Sequence, residues 1–134
     1  MSETNKQMLR DYTRETLIEG NLNAISKYIA PEYIHHLPSG DDLVGIDGMR
    51  QAVITYRNTF KDVNIEIHDM VGEGDRVATR LTVSGTHAGE FLGVPATGKR
   101  IKLYVIAIDR FANGKIAEGW EFADLAGLKE QLTS

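Results

Sequence analysis

Apolar residues in the N-terminal half of the chain recur at the spacing of a helix face, and from residue 62 onward they recur at every second position. Met8, Leu9, Tyr12, Thr16 and Leu17 form the first stripe, with Thr4 and Gln7 placed as a capping box and Gly20 as the stop. Leu22, Ile25, Tyr28 and Ile29 predict a short second helix, which Pro31 cannot continue. Tyr33 to Leu37 reads as a short extended segment. Met49, Val53, Tyr56 and Phe60 make the inward stripe of a third helix, with Asp47 as its cap.

Beyond it, Val63, Ile65 and Ile67 alternate with polar residues, and Gly72-Glu73-Gly74-Asp75 turns the chain. Arg76 to Thr86 then returns as an antiparallel partner. Gly89 to Lys99 is a loop. Ile101 to Phe111 is a long strand, Asn113-Gly114 its hairpin turn, and Lys115 to Ala123 the strand that follows. Leu125 to Leu132 closes the chain as a helical turn or a tail. Helices first and an antiparallel sheet afterwards make an α+β fold with the helices segregated to one face. The strand at 101–111 is apolar on both faces, Leu103, Val105 and Ala107 on one and Tyr104, Ile106 and Ile108 on the other. Three helices cover only one face. A second copy of the chain is the simplest cover for the other, so a homodimer built sheet to sheet is expected.

Length and charge narrow the picture without redirecting it. The 134 residues fit one domain spanning 1–134. Lys and Arg total 15 against 19 Asp and Glu, a net charge of -4 with the basic residues scattered, which argues against nucleic acid as a partner. The chain has no cysteine, so disulfides, thiol nucleophiles and cysteine-based zinc sites are excluded. No apolar run approaches the ~20 residues of a membrane span, and Met1 to Lys6 carries no secretory pattern. No membrane partner and a cytoplasmic location are therefore expected.

The residue patterns leave acid–base chemistry as the candidate. His35-His36 is an adjacent pair, and His68 and His87 stand alone, so no metal-ligand spacing is present and no metal is expected. No phosphate loop or nucleophile elbow occurs either. On the last strand, Glu118, Trp120, Phe122 and Asp124 share a face by alternation. A carboxylate beside Trp and Phe is partly desolvated, which raises its pKa toward that of a useful general base. The competing reading of Asp124 is an N-cap for the turn beginning at Leu125. His36, near the reversal before Pro38, either orients a carbonyl or sits half-buried on backbone partners. Tyr12 and Tyr56 fall on inward stripes, where packing and ligand contact are both open.

Thr82-Val83-Ser84-Gly85-Thr86-His87-Ala88-Gly89-Glu90-Phe91-Leu92-Gly93-Val94-Pro95-Ala96-Thr97-Gly98-Lys99 closely resembles the signature of the SnoaL-like polyketide cyclase family. Ala30-Pro31-Glu32-Tyr33-Ile34-His35-His36-Leu37-Pro38 is similar to that family's Pro-x-Tyr-x-x-His segment, and Asn113 to Trp120 with Asp124 and Gln131-Leu132 to its C-terminal pattern. The resemblance implies the cone-shaped barrel of the nuclear transport factor 2-like superfamily, with three N-terminal helices on a strongly curved antiparallel sheet around a deep pocket, usually dimeric. It implies a cofactor-free intramolecular aldol ring closure of an apolar small molecule. By similarity Asp124 is the general acid–base and His36 its catalytic companion. His87, like His36, is implied as a pocket residue, and Tyr12, Tyr33, Tyr56, Phe60, Trp120 and Phe122 are the candidate substrate-binding walls beside it.

Three alternatives stay open. A steroid isomerase of this fold wants a carboxylate near the position of His36. An epoxide hydrolase wants a converging Asp–Arg–Asp set, for which Asp109, Arg110 and Asp124 supply the types but not the geometry, since strand neighbours face opposite ways. A non-catalytic binding protein of the same fold is the third.

Overall fold

The structure, a computed structural model, describes residues 2–134. Helix α1 (Ser2–Tyr12) runs into a π-helical segment (Thr13–Ile18), then a 3-10 turn (Leu22–Ala24) and the short helix α2 (Ile25–Tyr28). Strands β1 (Ile29–His36) and β2 (Asp42–Val44) precede α3 (Gly45–Thr59). Four strands and a final helix follow: β3 (Phe60–Glu73), β4 (Arg76–His87), β5 (Arg100–Ala112), β6 (Lys115–Ala123) and α4 (Leu125–Thr133).

The strands form one sheet in the order β2-β1-β6-β5-β4-β3. The expected α+β layering holds, but the sheet is mixed and open rather than an antiparallel barrel: β1 runs parallel to β6, and β2 and β3 are its free edges. The first strand begins at Ile29, ahead of the expected Tyr33, and contains Pro31. Its pairing with β6 is irregular between Ile29 and Ile34, so the missing amide of Pro31 falls where no regular ladder needs it.

The helical stretch differs from the expected elements in four places. The Thr4–Gln7 pair lies inside α1, which already begins at Ser2. After Tyr12 the chain widens to a π-helix, and the wholly buried Thr16 donates its hydroxyl to the Tyr12 main-chain oxygen at 2.6 Å. Asp47 lies in the first turn of α3 and not at its cap. That helix instead opens at Gly45, whose φ of +71° only glycine adopts without strain. Phe60 is the first residue of β3.

Strand alternation decides which side chains meet the helices. On β5, Ile101, Val105 and Phe111 are buried while Tyr104, Ile106 and Ile108 are exposed. The larger core joins Leu9, Ile25, Ile29, Val53, Val77 and Ile116 from the helices and the sheet centre. A smaller one, Phe60, Ile101, Leu128 and Leu132, lies at the far end under α4 and the loop that carries Phe91, Leu92 and Val94. The Gln131 side chain fixes α4 by bonding both the amide (2.9 Å) and the carbonyl (2.8 Å) of Lys102.

Leu128 is completely buried in this second core, so Leu128→Ala is expected to lower stability by about 2–5 kcal/mol. Thermal or urea unfolding of the variant beside the wild type measures it.

Candidate active site

Cross-strand register builds two polar rows on the inner face of the sheet. Val77 on β4 pairs with Asp109 on β5, Asp109 with Gly119 on β6, and Gly119 with His35 on β1. One step along, Thr79 pairs with Ala107 and Ala107 with Glu121. Residues paired across neighbouring strands point to the same side, so His35, Asp109, Glu121 and Thr79 all face the helices. Tyr33, two residues before His35, joins them.

Gly119 makes the convergence possible. His35 Nδ1, Asp109 Oδ1 and Tyr33 Oη lie 2.8, 3.0 and 3.0 Å from the point where a Cβ on Gly119 would stand. Any side chain there would displace all three groups. His35 is hydrogen-bonded through Nδ1 to the Tyr33 hydroxyl at 2.8 Å and through Nε2 to Glu121 Oε1 at 2.9 Å. These contacts leave the second carboxylate oxygen of Glu121 free of side-chain partners among the described residues.

Asp109 has the opposite environment. Its carboxyl makes no hydrogen bond with any described residue. Burial, opposed by His35 and reinforced by the charge of Glu121, pushes its pKa from 3.8 up to about 7. The residue nonetheless keeps some accessible surface, as do the His35 and Glu121 side chains at 12% and 29%. These polar groups are set deep on the inner face of the sheet and are still partly reachable. Burial likewise holds the phenols of Tyr12, Tyr33 and Tyr56 protonated, their pKa values raised further by Asp109, Tyr12 and Glu121 respectively. Three buried hydroxyls in this region, on Tyr12, Tyr56 and Thr79, have no partner. Orphaned groups of this kind are uncommon in folded proteins and mark places where a ligand or water belongs.

The other sequence-derived candidates are placed elsewhere. Asp124 caps α4, accepting the Gly127 amide at 2.9 Å, and lines a depression of about 310 Å³ on the outer face with Tyr104, Ile106 and Phe122. His36 also faces outward: its ring bonds Asp42 and Glu118, each at 2.8 Å, and stacks on Trp120 with centroids 5.5 Å apart. Those carboxylates, Glu118 first, hold the ring protonated above the ordinary histidine range. Trp120 and Phe122, the latter 71% exposed, therefore wall nothing inside the cone, because alternation sends them out where it sends Gly119 and Glu121 in.

Phe60 packs in the second core, its ring 6.0 Å from both Tyr56 and His87. His87 is wholly buried and ties down the loop after β4: Nδ1 accepts the Thr97 amide at 3.2 Å and lies 2.9 Å from its hydroxyl, while Nε2 has no partner. Of the expected residues, the structure gathers Tyr12, Tyr33 and Tyr56 around the cleft. It adds His35, Glu121 and the neutral-leaning Asp109, which the pattern reading left out. A second depression, also about 310 Å³, lies between the π-helix and β3, away from this group. Among the described residues no three His, Asp or Glu side chains converge to hold a metal ion, and no helix is long and apolar enough to cross a membrane.

Comparison with known proteins agrees with this layout. The family model described as SnoaL-like polyketide cyclase matches residues 7–132. The aklanonic acid methyl ester cyclase DnrD of Streptomyces peucetius is 28% identical over 116 residues, covering 84% of this chain and 80% of that protein. The nogalonic acid methyl ester cyclase of Streptomyces nogalater is 26% identical over 115 residues, covering 84% and 86%. The solved structure of TsrD from Streptomyces laurentii superposes with a TM-score of 0.89 at 32% identity, covering 99% of this chain and 97% of that one.

Asp109 gives stability a definite pH dependence. Folded, it holds a proton up to about pH 7, whereas its unfolded value is 3.8. Between these values the native state binds the extra proton, so the contribution of Asp109 to stability falls as pH rises through that window and levels off above it. Asp109→Asn is expected to remove this component. Melting temperatures of both proteins from pH 4 to 8 should converge at the acid end and separate in favour of the variant at the alkaline end.

Proposed function

Because the chain belongs to the SnoaL-like polyketide cyclase family, we propose that it closes a ring in a polyketide-derived small molecule by cofactor-independent intramolecular aldol addition, with Glu121 as its base. The observation that carries this is one cleft holding two carboxylates in different environments. Such a split suits the carboxylate paired with His35 to proton removal and the neutral Asp109 to hydrogen-bond donation. The methyl ester cyclases among its relatives suggest an ester of an aromatic polyketide acid as substrate.

The chemistry needs little else. A C–H between two carbonyls is already acidic, so Glu121, oriented by His35, removes its proton without a metal. The enolate carbon then forms a bond to a ketone carbon of the same molecule. The alkoxide so generated takes back the proton from the Glu121 carboxylic acid, and the product is an isomer of the substrate with one new ring. Tyr56, whose unpartnered hydroxyl feels the charge of Glu121, faces the substrate beside the base. Ala107, between Thr79 and Glu121 in its row, leaves room for a flat ring over the sheet.

Purified protein incubated with aromatic polyketide methyl esters, with ring closure read by absorbance and mass spectrometry, tests the assignment. Glu121→Gln should lose about 10²–10⁴-fold in turnover, while Asp124→Asn should keep wild-type turnover, since Asn caps a helix as well as Asp. Full activity in Glu121→Gln would remove Glu121 from the mechanism. Ligand binding without turnover in the wild type would leave a binding protein instead.

The homodimer remains part of the proposal. Tyr104, Ile106 and Phe122 stand 58%, 55% and 71% exposed on the outer face, a contiguous apolar patch of the sort that seeks a partner. Sedimentation should show a dimer for the wild type and a monomer for Ile106→Glu. A wild-type monomer at tens of micromolar would discard the dimer.

A further inference from the structure

The orphaned donors in the cleft fall into two sets. Tyr56 answers to the charge of Glu121, and Tyr12 to that of Asp109. Tyr12 lies at the end of α1, where the chain widens to the π-helix, and Thr16 gives its hydroxyl proton to the Tyr12 main chain. The Tyr12 phenol is thereby left buried and unpaired. Asp109 approaches from the sheet with an oxygen 3.0 Å from the point where a Gly119 Cβ would stand, and likewise has no hydrogen-bond partner. Neither group supports the fold through a polar contact.

We propose that the Tyr12 hydroxyl and the carboxylic acid of Asp109 form a donor pair that holds the substrate oxygen on which enolate charge develops. The inference rests on the ring-closure reading and extends it to the electrophilic side of the site. Proton removal by Glu121 places the electron pair of the broken C–H bond on the carbonyl oxygen. Two O–H donors in a water-poor cleft stabilise that oxygen without transferring their protons. The surroundings keep both donors protonated. Asp109 faces Tyr33 and His35 from β1, Glu121 from β6 and Tyr12 from α1, with apolar Val77 beside it on β4. Burial and the charge of Glu121 disfavour a second negative charge on Asp109.

The probe is 2-naphthol, a flat aromatic whose oxygen imitates an enolate oxygen, followed by its fluorescence on binding to the whole protein. Wild type is expected to bind it most tightly below about pH 7, with affinity falling as Asp109 ionises. Tyr12→Phe should bind roughly 10-fold or more weakly, the loss of one hydrogen bond to a charge-bearing oxygen. Asp109→Asn, which retains an N–H donor, should keep most of the affinity and lose its pH dependence, whereas Asp109→Val should lose affinity at every pH. Circular dichroism confirms that each variant is folded. Unchanged binding in Tyr12→Phe, affinity that rises through pH 7, or no binding by wild type would each overturn the donor pair. Glu121→Gln separates the two readings. Lost turnover with retained binding at pH 6 concerns the base alone, and lost binding in Tyr12→Phe with an active wild type concerns the donors alone.

Discussion

The parallel pairing of β1 against β6 is the constraint on which the site depends. Every other neighbouring pair in the sheet is antiparallel. This one sets His35 opposite Gly119, and without that register the imidazole would reach neither Glu121 nor the row containing Asp109. Sheet pairing has a period of two, so a slip of one residue would exchange His35 for His36 and send the outward pair inside. The irregularity between Ile29 and Ile34 absorbs Pro31 before the register matters. Gly119 completes the arrangement by contributing no side chain where three polar atoms must crowd. A backbone constraint and a missing methyl group thus position the chemistry.

The same parity explains what was legible in the sequence. The helical and strand periods carried the order of elements, and the apolar alternation on β5 correctly divided Leu103, Val105 and Ala107 from Tyr104, Ile106 and Ile108. Carried two residues further, that alternation puts Asp109 on the buried face, a signal present in the sequence and not followed there. On β6 the presence of Trp120 and Phe122 suggested the wrong face, because large aromatics are usually core. Here they belong to an exposed patch, and the inward positions are held by Gly119 and Glu121. The parallel partner of β6 was beyond any local pattern: β1 and β6 are separated by most of the chain, and no spacing within either strand encodes their register. Resemblance to the family supplied the fold and the reaction class, whereas the carboxylate it implied, Asp124, caps α4 and faces outward.

The identity of the working carboxylate therefore turns on solvation more than on residue type. Asp124 spends an oxygen on the Gly127 amide at the start of α4, a contact that stabilises a helix end and faces the outer surface. Glu121 uses one oxygen to bind His35 and keeps the other available. Asp109 has no hydrogen-bond partner and resists ionising. Placed on adjacent strands one pairing step apart, these last two cannot both carry charge cheaply, and the charge of Glu121 adds to burial in raising the pKa of Asp109. The one without a hydrogen-bond partner among the described residues holds its proton up to about pH 7. In the proposed reading, the unequal distribution of one histidine between two carboxyl groups is what separates the base from its neutral neighbour.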